Sequence, residues 1–312
     1  MRTFKTIPDL AQLAGPLALG IGVFDGVHPG HKAVIEATLT AAKNSGGTPV
    51  IVTFDPHPAR ILRPENPPRL LTSTNHKIQL LSACGVENIL LVEFNREFAS
   101  NSPEQFIQTL AKYSRPLQTI CVGEEWAFGR NRSGNVDFLR SEGVKLGFSV
   151  IAVSPVKIDG EIVSSTLIRR AVESGHLEQA EKYLGRPYTI LGTVVGGRQL
   201  GRTIGFPTAN LSAHNEQFPP NGVYAIRAQI GTQRLQGVAN IGIRPTIENA
   251  LPGRLLEVHL FDFADDLYGQ DIEISFPKFL RPEQKFDDLA ALQFQIGCDT
   301  TAARNFFMAD AK

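Results

Sequence analysis

The stretch Gly22-Val23-Phe24-Asp25-Gly26-Val27-His28-Pro29-Gly30-His31 decides the fold of the first half of the chain. An apolar run that predicts a buried strand ends at Phe24, and the periodic apolar pattern of a helix begins at about His31. Three glycines and a proline lie in the stretch, which is the composition of a sharp turn. The stretch therefore predicts a strand–turn–helix unit, the building block of a parallel sheet.

The rest of the first half repeats this alternation of strands and helices. Buried strands are expected at Leu17–Phe24, Pro49–Phe54, Asn88–Phe94, Gln118–Val122 and Phe148–Val153. Helices are expected at His31–Lys43, Asn75–Cys84, Pro103–Tyr113 and Val136–Leu146. The pattern predicts a doubly wound α/β module over residues 1–185, and such sheets bind ligands at the carboxyl ends of their strands.

The second half changes to the two-residue period of half-buried strands. Apolar and polar residues alternate in Thr189–Val195, Val223–Ile230, Arg234–Asn240, Leu255–Phe261 and Asp271–Phe276. Turn residues separate these runs, and a helical pattern covers about residues 282–307. We expect a small antiparallel β-barrel with a terminal helix over residues 186–312, after a short linker at Gly185-Arg186-Pro187.

Composition excludes several classes of protein. The 312 residues include 31 Lys and Arg against 31 Asp and Glu, and this zero net charge argues against a nucleic-acid partner. The three cysteines are far apart in the sequence, which fits neither a disulfide framework nor a pair of metal ligands. No apolar run has the length of a membrane span, and no leader segment is recognisable. We expect a cytoplasmic protein without a membrane partner, whose oligomeric state the sequence leaves open.

The turn after the first strand is the first candidate site. Unpaired backbone amides at a helix N-terminus bind phosphate, and His28 and His31 add donors for negative charge on a transferring phosphate. The same turn would bring a further set of residues close to the bound phosphate: Gly22, Phe24, Asp25 and Gly30. Two alternatives stay open, a solvated turn or two-thirds of a zinc site completed by His57.

A second group of polar residues, Ser164-Ser165-Thr166, precedes a helical pattern. Hydroxyls at this position are ordinary helix caps. Alternatively they bind a polyphosphate together with Arg169, whose planar guanidinium donates two hydrogen bonds to phosphate oxygens. Arg170 would point elsewhere on the helix.

Two loops after later strands are candidates for lining the site. Glu125, Trp126 and Phe128 include the only tryptophan, which could form a wall for a flat aromatic ring or cover the sheet. The rigid Asp55-Pro56-His57-Pro58 loop ends another strand.

The second half carries its own glycine-rich segment, residues 196–210, with Gly201 and Gly205 among its glycines. Its backbone amides could face phosphate, although it lacks the Lys-Ser/Thr pair of a Walker A loop. Beyond Pro207, Thr208 and Asn210 offer the oxygen ligands that Mg²⁺ prefers. The alternative is an ordinary Pro-Thr-Ala-Asn turn.

Glu257 is the candidate general base of this second site. In a strand, Glu257 and His259 face the same side, and a carboxylate there could accept the proton of a substrate hydroxyl. The alternative is a surface glutamate paired with a cation such as Arg254.

Together these motifs resemble the prokaryotic bifunctional riboflavin kinase/FAD synthetase (FMN adenylyltransferase) family. The resemblance rests on the opening decapeptide, on Ser-Ser-Thr-x-Ile-Arg at 164–169 and on Gly-Phe-Pro-Thr-Ala-Asn at 205–210. It continues through residues 219–224, 240–246, 257–263 and 266–269, and so covers nearly the whole chain.

The resemblance implies two reactions. The first module is similar to the HxGH nucleotidyltransferases and would transfer an adenylyl group from ATP to FMN, giving FAD and pyrophosphate. The second would phosphorylate riboflavin to FMN with ATP and Mg²⁺.

The resemblance also implies roles for residues. His28 and His31 would contact ATP phosphates, with Ser164, Ser165 and Arg169 at the other end of the triphosphate. Glu257 would act on the terminal ribityl hydroxyl of riboflavin. The residues expected near a flavin are His57, Glu125, Trp126, Phe128 and Arg281.

Two alternative functions follow from the sequence. Where the family usually has Asp or Asn followed by Phe, this chain has Glu125-Trp126, which predicts a kinase with weak or absent FAD synthesis. The other alternative is a flavin- or nucleotide-binding protein without catalysis.

Overall fold

The computed structural model describes residues 1–196, 205–243 and 254–310. The chain forms two compact units. The first contains Met1–Arg69 and Thr74–Ser165, and the second contains Leu70–Ser73 and the chain from Thr166 onward. The expected functional boundary between residues 185 and 186 stays a prediction.

The first unit is built on a six-stranded sheet in which every neighbouring pair is parallel. Its strands are β1 (Arg2–Phe4), β2 (Leu17–Ile21), β3 (Thr48–Asp55), β4 (Asn88–Glu93), β5 (Leu117–Gly123) and β6 (Ser149–Val153). Its helices are α1 (Pro29–Ser45), α2 (Pro58–Leu62), α3 (Thr74–Ala83), α4 (Arg96–Ala99), α5 (Pro103–Tyr113) and α6 (Val136–Leu146). Two short 3-10 helices (Ile7–Gln12 and Arg130–Arg132) and a small hairpin of β7 (Lys157–Ile158) and β8 (Glu161–Ile162) complete it.

Both faces of this sheet are buried under helices. Val50 and Val52 pack in one apolar cluster with residues of α5 and α6, while Ile51 between them packs in another with residues of α1 and α3. This alternation confirms the doubly wound α/β prediction. The strand order β1-β4-β3-β2-β5-β6 places β2 between β3 and β5, where the order of connection reverses. The turn after β2 therefore lies at the switch point at which such sheets bind ligands.

The second unit is a closed six-stranded barrel of antiparallel pairs followed by a long helix. Helices α7 (Ser165–Glu173) and α8 (Leu177–Leu184) precede it. The strands are β9 (Thr189–Val195), β10 (Ala209–Ala213), β11 (Gly222–Ile230), β12 (Gln233–Ile243), β13 (Arg254–Leu260) and β14 (Asp271–Arg281), and the last helix is α9 (Leu289–Asp310). Ala303 and Phe307 of α9 pack against Ala225 and Val238 of the barrel. The predicted barrel with a terminal helix is confirmed.

Strand β10 was not predicted from the sequence. Ala209 and Asn210 lie in this strand, so the alternative of an ordinary turn is wrong for these two residues. The strand has only five residues, too few to show a clear two-residue period, and its pairing with β9 and β13 holds it in the barrel. Within the described ranges, no helix is long and apolar enough to cross a membrane.

Candidate active sites

The turn after β2 has an unusual backbone. Beyond the end of β2, the amide of Gly22 donates a hydrogen bond to the carbonyl of Val52 at 3.1 Å. Phe24 (φ 55°) and Val27 (φ 42°) then adopt left-handed conformations, which bulky and β-branched residues rarely do. Such strained residues persist only where their surroundings hold them, and they cluster at functional sites.

The two histidines of the turn lie side by side. Their rings stack with centroids 3.6 Å apart and planes 21° apart, and the ring of Phe24 meets His31 edge-on at 5.3 Å. His28 is the N-cap residue of α1, which begins at Pro29. A Cβ atom on Gly30 would lie 3.1 Å from the His28 ring, so a larger residue there would require the ring to shift by a few tenths of an ångström. Both imidazoles are thus fixed at the amide end of α1, where an anion binds favourably.

The hydroxyl segment reaches the same turn. The Ser165 hydroxyl donates a hydrogen bond to the carbonyl of Asp25 at 2.9 Å, and the Gly30 Cβ position would lie 3.9 Å from the Val163 carbonyl. The structure therefore brings together the predicted residues Asp25, Gly30 and Ser165. Ser164 directly precedes α7, while Thr166 and Arg169 lie within that helix.

The predicted flavin-side residues of this unit have mixed surroundings. Trp126 and Phe128 stack with centroids 4.2 Å apart, but Phe128 is buried in the core of the sheet. Trp126 is half-buried and Glu125 is exposed, so these two are the more accessible candidates. Their contact with a flavin stays a prediction.

His57 caps a helix. Its Nδ1 atom accepts a hydrogen bond from the amide of Ala59 at 3.1 Å, at the start of α2. No group of three or more His, Cys, Asp or Glu side chains could hold a metal in the part of the chain that the structure describes. The alternative of a zinc site formed with His28 and His31 therefore has no support.

The second site is assembled by strand pairing on the outside of the barrel. Glu257 of β13 lies opposite Asn210 of β10 on one side and opposite Asn240 of β12 on the other. Directly opposed residues of antiparallel strands share a face, with Cβ atoms roughly 5 Å apart. Leu256 and Val258 are buried inside the barrel, so this row of one carboxylate and two amides lies on its outer face.

His259 fixes the segment before β10 beside this row. Its Nδ1 atom donates a hydrogen bond to the carbonyl of Pro207 at 2.8 Å, and its ring meets Phe206 edge-on at 5.4 Å. Gly205 before them has a φ of 81°. Thr208 is the residue directly before β10. The first residue of that strand, Ala209, pairs with Val258 of β13. Gly201 lies outside the described residues.

Glu283 supports the row from the other side and was not predicted as a site residue. Its Oε1 atom accepts a hydrogen bond from the Asn240 amide, and its Oε2 atom accepts one from Asn221, both at 3.2 Å. A Cβ on Gly242 would lie 2.4 Å from Oε1, so the carboxylate is seated against this glycine. Asn240 lies in a motif that the sequence shows, but only the strand register relates it to Glu257, and only its hydrogen bond relates Glu283 to the row.

Arg281 holds α9 to the barrel. Its guanidinium donates to both carboxylate oxygens of Asp299, at 2.8–3.1 Å, and to the carbonyl of Pro282 at 3.0 Å. Asp299 is nearly buried. Most of the donors of Arg281 are thus used within the protein, and its predicted flavin contact stays a prediction.

Two cavities flank the segment that carries Thr208. A groove of about 820 Å³ is lined by Phe206 and by α9 residues that include Phe294 and Ala302. A smaller cavity of about 550 Å³ is lined by Pro207, Thr208, barrel residues such as Leu260, and the loop at 263–268. Phe206 thus lines the groove, and Pro207 and Thr208 line the smaller cavity, while Glu257 on the neighbouring strand β13 lines neither.

In comparisons with known proteins, two different family models match two separate parts of the chain. The family model described as FAD synthetase matches residues 11–167, and the model described as riboflavin kinase matches residues 184–307. A bifunctional riboflavin kinase/FMN adenylyltransferase from Escherichia coli (strain K12) is 37% identical over 309 residues, which cover 98% of each chain. One from Pseudomonas fluorescens is 39% identical and covers 91% of each chain. A crystal structure described as a macrolide-efflux protein from Streptococcus pneumoniae matches with a TM-score of 0.82 at 29% identity, covering 97% of this chain and 98% of its own.

Proposed function

The chain belongs to the bifunctional riboflavin kinase/FMN adenylyltransferase family, and on that premise we propose which residues carry each of its two reactions. It phosphorylates riboflavin to FMN and transfers an adenylyl group from ATP to FMN. The two family models favour this two-activity enzyme over a kinase with weak FAD synthesis or a non-catalytic binder. The cytoplasmic location and the lack of a nucleic-acid or membrane partner stay predictions.

Glu257 is the base of the kinase reaction. Its carboxylate takes the proton from the terminal ribityl hydroxyl of riboflavin, whose oxygen forms a bond to the γ-phosphorus of ATP. The bond between that phosphorus and the β–γ bridging oxygen breaks, and ADP leaves. The carboxylate is half-buried on the outer face of the barrel, where a hydroxyl can approach it.

The two cavities hold the two substrates. The groove beside α9 is lined by aromatic rings, Phe206 and Phe294, and suits the flat isoalloxazine ring of riboflavin. The smaller cavity includes the hydroxyl of Thr208 and suits ATP. The observation that carries this proposal is the row Asn210–Glu257–Asn240, which lies on the outer face next to residues 206–208, and these residues contribute to the lining of both cavities.

The donor set fits Mg²⁺. Thr208 and Asn210 present a hydroxyl and an amide oxygen, directly before and within the stretch of β10 that pairs with β13. These are the hard oxygen ligands that Mg²⁺ takes, and few protein ligands suffice because the ion also binds substrate phosphates. When bound, Mg²⁺ neutralises charge on the β- and γ-phosphates.

The turn of residues 22–31 serves adenylyl transfer. A phosphate oxygen of FMN forms a bond to the α-phosphorus of ATP, and the bond to the bridging oxygen of pyrophosphate breaks. His28, His31 and the first amides of α1 bind the phosphates while charge moves to the leaving group. Ser164 and Ser165 form the remaining part of the phosphate site, and the ATP contacts of Thr166 and Arg169 stay predictions.

Matched alanine-to-phenylalanine substitutions test the cavity assignment. Ala302→Phe fills the groove beside α9, and Ala264→Phe fills the smaller cavity. We expect the first to raise the KM of the kinase for riboflavin about tenfold with little change for ATP, and the second to do the reverse. Ala309→Phe, at an exposed position of α9 outside the groove, is the control. If Ala302→Phe raised the KM for ATP alone, the assignment would be wrong.

A further inference from the structure

Lys77 is a buried lysine that neither reaction uses. It lies on α3 of the first unit, and only 5% of its surface is exposed. Lysine is almost never buried to this extent without a specific interaction, because its charge is then removed from water. Burial lowers the pKa of the Lys77 ammonium to about 8, while the carboxylates of Asp25 and Asp55 oppose that shift.

All three protons of the ammonium are directed at oxygen atoms of two strand ends. The Nζ atom donates to the Phe54 carbonyl at 3.0 Å, to the Thr53 hydroxyl at 3.1 Å and to the Val23 carbonyl at 3.4 Å. An ammonium group has three donors. These contacts leave none for a substrate, so any part that Lys77 plays in the reaction acts through the backbone that it holds.

The hydrogen bonds of Lys77 join the chain segments of β2 and β3 beyond the point where their backbone pairing ends. Directly after β2, a backbone hydrogen bond joins the amide of Gly22 to the carbonyl of Val52 in β3. One residue further, the Thr53 hydroxyl donates to the Val23 carbonyl at 3.0 Å, and Lys77 bonds to both groups. The Thr74 hydroxyl also donates to the Asp55 carboxylate at 2.8 Å, so the first turn of α3 is attached twice to this end of β3.

Val23 leads directly into the strained part of the turn. The next residue, Phe24, has a φ of 55°, and its ring contacts His31, which stacks on His28. A shift of the Val23 carbonyl would therefore move Phe24 and then the two imidazoles. The path from Lys77 to the phosphate-binding groups is a short chain of direct contacts.

We infer that Lys77 is a positioning residue for adenylyl transfer: by holding the Val23 and Phe54 carbonyls and the Thr53 hydroxyl, it keeps the turn of residues 22–31 in the shape that presents His28 and His31. The inference rests on the proposed function of that turn. A displacement of about 1 Å at a reacting group can cost roughly 100-fold in rate.

Lys77→Met tests this inference, with Lys112→Met, an exposed lysine of α5, as the matched control. We expect Lys77→Met to lower kcat for FAD formation from FMN about 100-fold. Riboflavin phosphorylation by the same preparation should stay within twofold of wild type, which shows that the second unit is folded. Thr53→Val removes one hydroxyl from the same contacts at nearly unchanged volume, and a loss of about tenfold is expected.

Histidine ring signals in NMR spectra give a readout that a role in stability alone would not move. In folded Lys77→Met or Thr53→Val, the resonances of His28 and His31 should shift, while those of His214 and His259 in the second unit should not. Unchanged FAD formation and unchanged His28 and His31 signals would overturn the inference. His28→Ala in the same assay distinguishes a failure of the Lys77 inference from a failure of the function proposed for the turn. If His28→Ala caused no loss of FAD formation, the function proposed for the turn would be overturned.

Discussion

The turn of residues 22–31 and the outer face of the barrel are both proposed to act on phosphate groups, but they are assembled in different ways. The turn takes its groups from one short segment, and strained backbone and two stacked rings give it its shape. The barrel site takes Asn210, Asn240 and Glu257 from three strands, and their pairing register brings them together. The first site should therefore be sensitive to backbone position, and the second to the loss of one carboxylate.

The largest effect is expected for Glu257→Gln, which keeps the shape of the side chain and removes its basicity. The kcat for FMN formation should fall about 1,000-fold, within the range by which general bases contribute. FAD formation from supplied FMN should stay within twofold, as measured by chromatography of flavins. Glu178→Gln, at an exposed position of α8, is the control. FMN formation within fivefold of wild type would rule out Glu257 as the base.

A loss of about 100-fold is expected for the double substitution His28→Ala and His31→Ala, which removes the stacked rings from the start of α1. Each fixed donor to a developing negative charge contributes on this scale. The rate of FAD formation from FMN and ATP measures the loss, while riboflavin phosphorylation should be unaffected. An equal loss of both activities would contradict the separation of the two sites.

A pH-dependent effect should distinguish the two sites as well. Below pH 8 the Lys77 amine is charged and donates three hydrogen bonds; above pH 8 it is neutral and can donate only two. FAD formation should therefore decrease about tenfold between pH 7 and pH 9, and FMN formation should not follow this profile. The decrease should be absent from the residual activity of Lys77→Met.

This decrease should not come from unfolding. The folded-state pKa of Lys77 lies below its ordinary value of 10.5, so the unfolded chain binds more protons between pH 8 and 10.5. Within that window the contribution of this group to the free energy of unfolding rises with pH. At neutral pH, keeping the buried amine charged costs about 3 kcal/mol. Thermal unfolding followed in parallel should show no loss of the first unit near pH 8.5, and such a loss would contradict this explanation.

The smallest effect is expected for Thr208→Val, which replaces the hydroxyl of this proposed Mg²⁺ ligand by a methyl group of similar size. The Mg²⁺ concentration that gives half-maximal FMN formation should rise about fivefold, because phosphates and other oxygen groups supply most ligands of the ion. Thr208→Ser should restore the wild-type value. An unchanged Mg²⁺ requirement would remove Thr208 from the metal site.

The elements with strong local signals could be predicted from the sequence. Helices α5 and α6 begin and end where the pattern predicts, because Ser102 and Asn135 cap them with side-chain hydrogen bonds. Helix α1 begins two residues before the predicted start, because Pro29 occupies its first turn behind His28. The three-residue strand β1 was missed, since such a short strand has no period and depends on its partner β4.

The groups that strand pairing brings together could not be predicted. Glu257 was identified by its residue type and motif, but its neighbours Asn210 and Asn240 follow only from the register. Lys77 resembles an ordinary exposed lysine in a helical pattern, and only the meeting of two strand ends with α3 buries it. The residues of the turn could therefore be recognised together, because they lie in one short segment. The residues of the barrel site could be recognised only separately, because the sequence does not show that they are neighbours.

Complementation between two inactive variants tests the separation of the sites most directly. Glu257→Gln and the double variant His28→Ala with His31→Ala are each supplied with riboflavin, Mg²⁺ and ATP, alone and as an equimolar mixture. Each alone should form almost no FAD, and the mixture should form FAD because FMN released by one chain is adenylylated by the other. A mixture as inactive as its components, with FMN accumulating in solution, would contradict the account.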